Sequence, residues 1–145
     1  MSRSITRDNL GAWLLKANPE SGSPVARWIK QGGKVVESWC VVPGYRSELM
    51  TPEDKVVLWV SGNGRRVARG IWGLGRVIAP VDGNGHEVRV QLKLPLLAEP
   101  VPAEDLVAAG ITDLEVQRIP QGSNPSWLSA EQLARLAPLL PPWPT

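Results

Sequence analysis

The chain has 145 residues and a net charge of +2, and its aromatic residues are seven Trp and one Tyr, with no Phe. This length predicts a single domain, residues 1–145, that can bury a core without metals or disulfides. The weak positive charge permits a nucleic-acid partner without requiring one. With no long apolar run and no secretory signal, we expect a soluble, cytoplasmic protein with no membrane partner.

Cysteine and histidine usage bears on metal chemistry. Cys40 is the single cysteine and His86 the single histidine. A lone cysteine excludes an internal disulfide, and one histidine in a turn makes Cys–His zinc sites a poor interpretation. We therefore expect no metal and no cofactor.

The first third of the chain predicts two strands on either side of a short helix. The strands cover residues 12–17 and 34–42. The helix begins at Ser23 and Pro24, a cap followed by a first-turn proline, and ends at Gly32. Trp28 lies at helical spacing from other apolar residues, so we expect it on the buried face of that helix. A helical turn is expected over residues 45–50.

A hairpin is predicted at the centre of the chain. Apolar runs at residues 56–60 and 70–77 flank a polar, Gly-rich turn. Strict alternation puts Val57 and Trp59 on one face of the first strand. In the second strand, the same alternation puts Gly73 and Gly75 on one face and Trp72 and Leu74 on the other. Two glycines on one face indicate curvature or a close approach, so we expect a curved, closed sheet.

The second half predicts one more long strand and several short elements. Residues 86–94 alternate between apolar and polar side chains, after a tight turn at residues 82–85. Ser129 and Gln132 have capping-box spacing at the start of a helix over residues 129–140. The remaining expectations are a proline-rich connection at 95–102, a helix at 103–109, a strand at 114–119, a polar loop at 120–125 and a Trp143 that packs back on the sheet. The fold class is α+β, a small mixed β pseudo-barrel with short peripheral helices.

Five short segments follow one another along the chain in an order that matches a known family. The segments are Trp13-Leu14-Leu15-Lys16 with Asn18-Pro19; Trp39-Cys40-Val41 with Tyr45-Arg46; Asp54 and Val56 leading to Trp59 and Ser61; Gly70-Ile71 with Gly73 and Gly75; and Pro120-Gln121-Gly122-Ser123 with Ser129-Ala130-Glu131. In this order they resemble the EVE domain, which belongs to the PUA-like superfamily together with YTH and SRA-type modules. The resemblance implies a PUA-like pseudo-barrel whose pocket receives a modified base, extruded from DNA or presented by RNA.

The resemblance also implies which residues form the base-binding pocket. Trp39 matches a Trp that forms a pocket wall in EVE and YTH domains. Ser38 and Cys40 match its neighbours, whose backbone contacts the base. Asn18 matches a base-edge contact of YTH domains, and Ser61 matches the Ser that closes the third segment. Three further rings are candidate pocket walls without an alignment to support them: Trp13, Trp59 and Trp72.

Holding a base requires contacts beyond the base itself. Stacking is worth roughly 1–3 kcal/mol per base, comparable with the cost of unstacking it from a duplex. Cationic and polar contacts to the phosphates supply the remaining affinity. The residues expected to contact the nucleic-acid backbone are Arg46, Arg65, Arg66, Arg69, Gln121, Ser123 and Asn124.

Three functions remain open on the sequence. The leading hypothesis is a binding module, not an enzyme, that recognises a modified base such as a methylated base in DNA or RNA. One alternative is an amidohydrolase acting on acylated nucleosides, as in PUA-like proteins of the ASCH type. Its candidate set is Lys16 with Glu48 or Asp54. The other alternative is a protein-interaction domain that uses the proline-rich tail at residues 138–144.

Overall fold

The protein is described by a computed structural model that covers residues 4–83 and 87–144. Across these residues, six strands form one sheet in the order β2-β5-β4-β3-β1-β6. β1 and β3 are parallel, and every other neighbouring pair is antiparallel. The α+β prediction is therefore confirmed. The strands are β1 Leu10–Ala17, β2 Val35–Val41, β3 Lys55–Val60, β4 Gly70–Asp82, β5 Val88–Pro102 and β6 Ser126–Ser129.

The helices are short and lie around the sheet. The predicted capping box is present, because Ser129 Oγ accepts from Gln132 N (3.1 Å) and Gln132 Oε1 accepts from Ser129 N (2.9 Å). The helix it starts ends earlier than predicted, since Pro138 has no N–H to continue it. No helix in the described ranges is long and apolar enough to cross a membrane. The α-helices are α1 Val25–Gln31, α2 Tyr45–Leu49, α3 Ala103–Ala108, α4 Glu115–Arg118 and α5 Ala130–Leu136, with 3-10 turns at Pro19–Ser21 and Ala137–Leu139.

Apolar side chains pack on both faces of the sheet, in two separate cores. The predicted alternation of β3 is confirmed: Val56 and Leu58 lie in the first core, and Val57 and Trp59 in the second. The first core includes Val25 of α1. The second core includes the buried residues of α3, α4 and α5, so these three helices lie over the opposite face.

Strict alternation is wrong for β4. Trp72 packs in the first core and Leu74 in the second, although the two residues are separated by one position. Leu58 of β3 lies opposite Gly73, but the next residue of β3, Trp59, lies opposite Ile71. Trp72 is therefore an extra residue of β4 in this ladder. Such a bulge shifts the alternation of the strand by one residue.

The glycines of β4 allow a close approach of β5, as predicted. A Cβ at Gly73 would lie 2.4 Å from Leu94 Cδ2, and one at Gly75 would lie 2.2 Å from Lys93 O. Only a residue without a side chain fits at these positions. The alternating pattern of β5 is confirmed as well, with Val90, Leu92 and Leu94 buried.

Two predicted elements are wrong. The proline-rich connection is part of β5, which continues to Pro102 through an irregular stretch between Leu96 and Val101. Prolines are tolerated there because no ladder N–H is required of them. The strand predicted at residues 114–119 is α4, and the side chain of Gln117 accepts from Leu114 N (2.9 Å) to cap it. The strand β6 was not predicted.

The expectation of a closed sheet is wrong, because the edge strands β2 and β6 do not pair with each other and the sheet stays open. The two edges nevertheless meet at one corner. β2 and β6 are the edge strands. Val42 N, directly after β2, donates to Asn124 O, two residues before β6 (2.9 Å). The Asn124 side chain also accepts from Lys16 N (2.8 Å) and donates to Lys16 O (3.2 Å). The corner thus joins the end of β1 to both edges. The predicted turn at residues 82–85 and the strand start at His86 lie partly outside the described residues.

The C-terminal tail lies against the sheet. Trp143 Nε1 donates to Gly75 O (2.8 Å), and Lys55 Nζ lies 5.2 Å from the centre of the Trp143 ring. The prediction that Trp143 packs back on the sheet is confirmed.

Candidate functional site

A cleft of about 480 Å³ opens where β1, β2 and β3 end, next to the corner at Asn124. We call it the sheet-end cleft. β1 and β3 are parallel, so their last residues lie side by side, and Ser61 N donates to Ala17 O (2.9 Å). The cleft is lined by Lys16, Asn18, Cys40, Val41, Val42, Ser61, Glu87, Pro120, Gly122, Ser123 and Asn124.

Five of the residues singled out by sequence converge in this cleft although they are distant in the chain. They are Asn18, Cys40, Ser61, Ser123 and Asn124. Asn18 also has a structural role, because its Oδ1 accepts from Glu20 N (2.9 Å) at the following 3-10 turn. Gln121 is exposed between two lining residues of the cleft. The fold therefore brings these five residues of the predicted set to one opening.

Lys16 supplies a cation to this cleft. Its Nζ donates to Gly122 O and Pro120 O. Burial lowers the pKa of Lys16 from its usual 10.5, with Glu115 raising it and Arg46 lowering it further. Lys16 forms no ion pair with Glu48 or Asp54, the carboxylates proposed for an amidohydrolase, among the residues described.

A second cleft of about 340 Å³ adjoins the first and shares Val42, Gly122, Ser123 and Asn124 with it. We call it the Tyr45 cleft. The Tyr45 side chain is 55% exposed, and Val42 and Ile119 are about as open. Sequence reasoning placed Tyr45 in a matching segment but gave it no role. An exposed aromatic beside two exposed aliphatics presents a flat apolar surface to a ligand.

Arg46, expected to contact phosphate, lines the Tyr45 cleft with its side chain 29% exposed and is held there by an ion pair. Its guanidinium forms a fork with both carboxylate oxygens of Glu115 (2.7 and 2.8 Å) and donates to Pro125 O (3.1 Å). Burial raises the pKa of Glu115, but hydrogen bonds from Arg46 and Ser126 outweigh burial and leave that pKa below its usual value. The pair anchors α2 to α4 and to the loop before β6, so Arg46 is a structural residue here.

Trp13, Trp59 and Trp72 do not line the sheet-end cleft. Trp13 is fully buried, and its Nε1 donates to Asp54 Oδ2 (3.0 Å). Trp59 is in the second core and borders a different cleft, near α3 and α4. Trp72 is in the first core, with Nε1 donating to Ala68 O (2.8 Å). Trp13 presents no surface to a ligand, which corrects its expected place in the pocket wall.

Trp39 is half-buried and is covered by α1. Its ring meets Trp28 edge to face, with centroids 6.3 Å apart and planes at 65°. It lines neither the sheet-end cleft nor the Tyr45 cleft. Ser38 and Cys40 lie on the other face of β2, where Arg89 donates to Ser38 Oγ (2.8 Å) and Cys40 Sγ (2.7 Å). The strand alternation visible in the sequence already separates these two residues from Trp39.

The expected arginines of the hairpin turn are exposed. Arg66 donates to Pro19 O (3.2 Å), Arg69 lies against Gly64, and Arg65 N donates to Asn63 Oδ1 (2.9 Å). A groove of about 750 Å³ runs between this turn and α1. We call it the α1 groove. Arg27 and Lys30, on α1, were not predicted to contribute, although their i, i+3 spacing on a helix signals a shared face.

The described residues contain no cluster of three or more His, Cys, Asp or Glu side chains that could hold a metal ion. The sheet-end cleft offers Lys16, the carboxylate of Glu87, amides and hydroxyls, groups that together donate and accept hydrogen bonds. This set suits recognition of the polar edge of a flat ligand.

Comparison with known proteins identifies a shared fold. No family model matches the chain, and no curated protein matches it. Solved structures with this fold include Rpa0253 from Rhodopseudomonas palustris, with 22% identity over 90% of this chain and 92% of that one, at a TM-score of 0.60. A hypothetical protein from Leishmania major has 18% identity over 92% of this chain and 96% of that one, at a TM-score of 0.65. A protein from Pseudomonas putida has 18% identity over 88% of this chain and 98% of that one, at a TM-score of 0.58.

Proposed function

We propose that this protein is a non-catalytic module that binds a modified nucleobase of DNA or RNA in the sheet-end cleft. The observation that carries the proposal is the convergence of Asn18, Ser61 and Ser123 on one opening, beside Lys16. Asn18 Oδ1 caps the following 3-10 turn and Ser61 Oγ donates to Ala17 O (3.3 Å), and both side chains also line the opening. A ligand with a hydrogen-bonding edge gives them a common purpose.

The size and chemistry of the cleft support a base as the ligand. Its volume of about 480 Å³ lies within the range of roughly 300–1,000 Å³ found for small-molecule sites. The hydroxyls, amides and Lys16 suit a base edge. The exposed ring of Tyr45, in the adjoining cleft, provides a stacking surface at the rim. In this proposal Tyr45 takes the stacking role that the resemblance gave to Trp39.

The fold is consistent with a PUA-like pseudo-barrel, which we propose as its finer class. The bond from Val42 N to Asn124 O brings the two edges of the sheet together at the same corner as the cleft. The ordered segments that resemble EVE domains contribute eight residues of the cleft lining, among them Asn18, Ser61 and Ser123. Exposed Arg65 and Arg66 add cations that would contact phosphates.

The test is to fill the cleft with a side chain. Ser123 is exposed and lines both clefts, so Ser123→Trp obstructs them without changing the core. Ala134→Trp, on the exposed side of α5, is the matched control. The full chain is titrated by fluorescence anisotropy with labelled single-stranded DNA and RNA carrying N6-methyladenine or 5-methylcytosine, and by calorimetry with the free nucleosides.

We expect at least one probe to bind the parent chain and the Ala134→Trp chain equally. Ser123→Trp should weaken that binding by about tenfold or more, equivalent to ~1.4 kcal/mol. Failure of every probe to bind the parent chain, or equal binding to both variants, would refute the proposal. Turnover of N4-acetylcytidine that is lost in Lys16→Ala would instead establish the amidohydrolase.

A further inference from the structure

The α1 groove combines an apolar floor with a cationic rim. Its volume is about 750 Å³, larger than that of the sheet-end cleft. The rim carries the exposed side chains of Arg27, Lys30 and Arg66, and no acidic residue lines the groove. The floor is formed by Ala26, Ile29, Val67, Ala68, Trp72 and Pro100.

The rim cations are not neutralised within the protein. In the part of the chain that the structure describes, the side chains of Arg27 and Lys30 form no hydrogen bond and no ion pair. Arg66 donates to the carbonyl of Pro19, a neutral group. Three cations around an apolar hollow, with no acidic residue among those that line it, create a positive potential over it. The ligand that complements this groove is anionic and has apolar faces.

Arg66 connects the α1 groove to the edge of the sheet-end cleft. Arg66 lines the groove and bonds to Pro19, the residue after Asn18, which lines the cleft. Ser61 also lines the cleft, and its neighbour Gly62 lies against the side chains of Glu20 and Asn18. A strand with one base in the cleft would pass Arg66 as it leaves toward the groove.

We infer that the α1 groove is a second subsite, which binds nucleotides flanking the recognised base in a single-stranded DNA or RNA. This inference rests on the proposed function. Phosphates pair with Arg27, Lys30 and Arg66, and flanking bases lie on the apolar floor beside Trp72 and Pro100. Proteins bind single strands by this combination of a positive groove and flat apolar surfaces. Continuity with the cleft favours a nucleic-acid strand over an acidic peptide as the occupant.

The test separates the groove from the cleft by ligand length. Affinity of the full chain is measured for a modified nucleoside and for single-stranded oligonucleotides of increasing length, up to about nine nucleotides, around the same modified base. The variant Arg27→Ala/Lys30→Ala removes two rim cations from exposed positions of α1. The control Lys93→Ala/Arg118→Ala removes the same charge from exposed positions that line neither hollow.

For the parent chain we expect affinity to rise with oligonucleotide length. The groove variant should bind the longest oligonucleotide about tenfold more weakly and the nucleoside as well as the parent does. Loss of two phosphate contacts should also reduce the slope of log K against log salt by about 1.4, since each contact contributes roughly 0.7 for a single strand. Abasic flanking positions should weaken binding to the parent chain, because the floor would lose its bases.

Different failures have different meanings. If neither the nucleoside nor any oligonucleotide binds, the proposed function fails and the second subsite fails with it. If the nucleoside binds but length adds nothing, or the groove variant and the control lose affinity equally, the second subsite is refuted and the proposed function stands. Equal binding of abasic and intact flanks, with competition by an oligoglutamate peptide, would refute a strand in the groove and favour an acidic peptide.

Discussion

At the scale of single residues, the structure accounts for the preference for Trp over Phe. Three of the tryptophans donate an indole N–H hydrogen bond, which a Phe side chain cannot form. Trp13 donates to Asp54, Trp72 to the Ala68 carbonyl and Trp143 to the Gly75 carbonyl. The bonds of Trp13 and Trp143 join residues that are distant in the chain, and the bond of Trp72 reaches back to the loop before β4. These tryptophans give the fold bulk and a directed hydrogen bond together.

Asp54 is the carboxylate on which several elements converge. It accepts from Arg7, from Trp13 and from Thr51 N (2.9 Å). Burial raises the pKa of Asp54, but these hydrogen bonds outweigh burial and leave the pKa below its usual 3.8. A carboxylate with a depressed pKa stabilises the fold at pH values above 3.8, and this stabilisation is lost as the pH falls through the folded pKa.

The substitution Trp13→Phe tests this network. It removes the N–H donated to the Asp54 carboxylate and leaves a small cavity in the first core. We expect a loss of about 3 kcal/mol in the free energy of unfolding at neutral pH, from the hydrogen bond to a charged group and the lost packing. The loss should shrink at acid pH as Asp54 becomes protonated. Urea unfolding at a series of pH values measures it.

Asp54→Asn provides the control for the charge. In that background, Trp13→Phe should cost less than in the parent chain, because the coupling to the carboxylate is already absent. A loss that is independent of pH and equal in both backgrounds would show that Trp13 contributes packing alone.

At the scale of elements, the hairpin, the capped α5 and the alternating part of β5 could be predicted because each has a local signal. The bulge at Trp72 could not, since it depends on the register with Leu58 and Trp59 of the partner strand. The short α4 was mistaken for a strand because Leu114 and Val116, both buried, are two residues apart. In so short an element, burial in the second core and the Gln117 cap decide the conformation.

The substitution Gly75→Ala tests the close approach of β4 and β5. A Cβ there would lie 2.2 Å from Lys93 O and 2.5 Å from Leu94 Cα, both backbone atoms that cannot rotate away. We expect a loss of about 3 kcal/mol or more in the free energy of unfolding, measured with urea. Gly44→Ala is the control, since its Cβ would meet nothing within 4 Å. Equal, small effects of the two changes would mean that the strands are not this close.

At the scale of the whole molecule, the candidate site depends on how the sheet curves. The corner at Asn124 joins the end of β1 to both edges, and it brings the loop containing Ser123 to Asn18 and Ser61. The order of the matching segments was sufficient to single out these residues. It could not show that α1 covers Trp39, because the contact between Trp28 and Trp39 depends on where the helix packs.

The charge of the whole molecule gives little indication of partners, whereas its distribution does. The net charge of +2 is small, yet the α1 groove collects three cations and no acidic residue. Arg46, which the sequence analysis expected to contact phosphate, is paired with Glu115 beside the Tyr45 cleft. Pairing of this kind depends on tertiary structure, and composition carries no information about it.

The central claim is that a modified base enters the sheet-end cleft, and amide chemical-shift mapping tests it most directly. The ¹⁵N-labelled full chain is titrated with the modified nucleoside that binds most tightly among those screened. We predict that the largest shifts occur at Asn18, Ser61 and Ser123, three residues that line the cleft from separate segments. Largest shifts around Trp28 and Trp39 instead, or no shifts with any nucleoside, would contradict it.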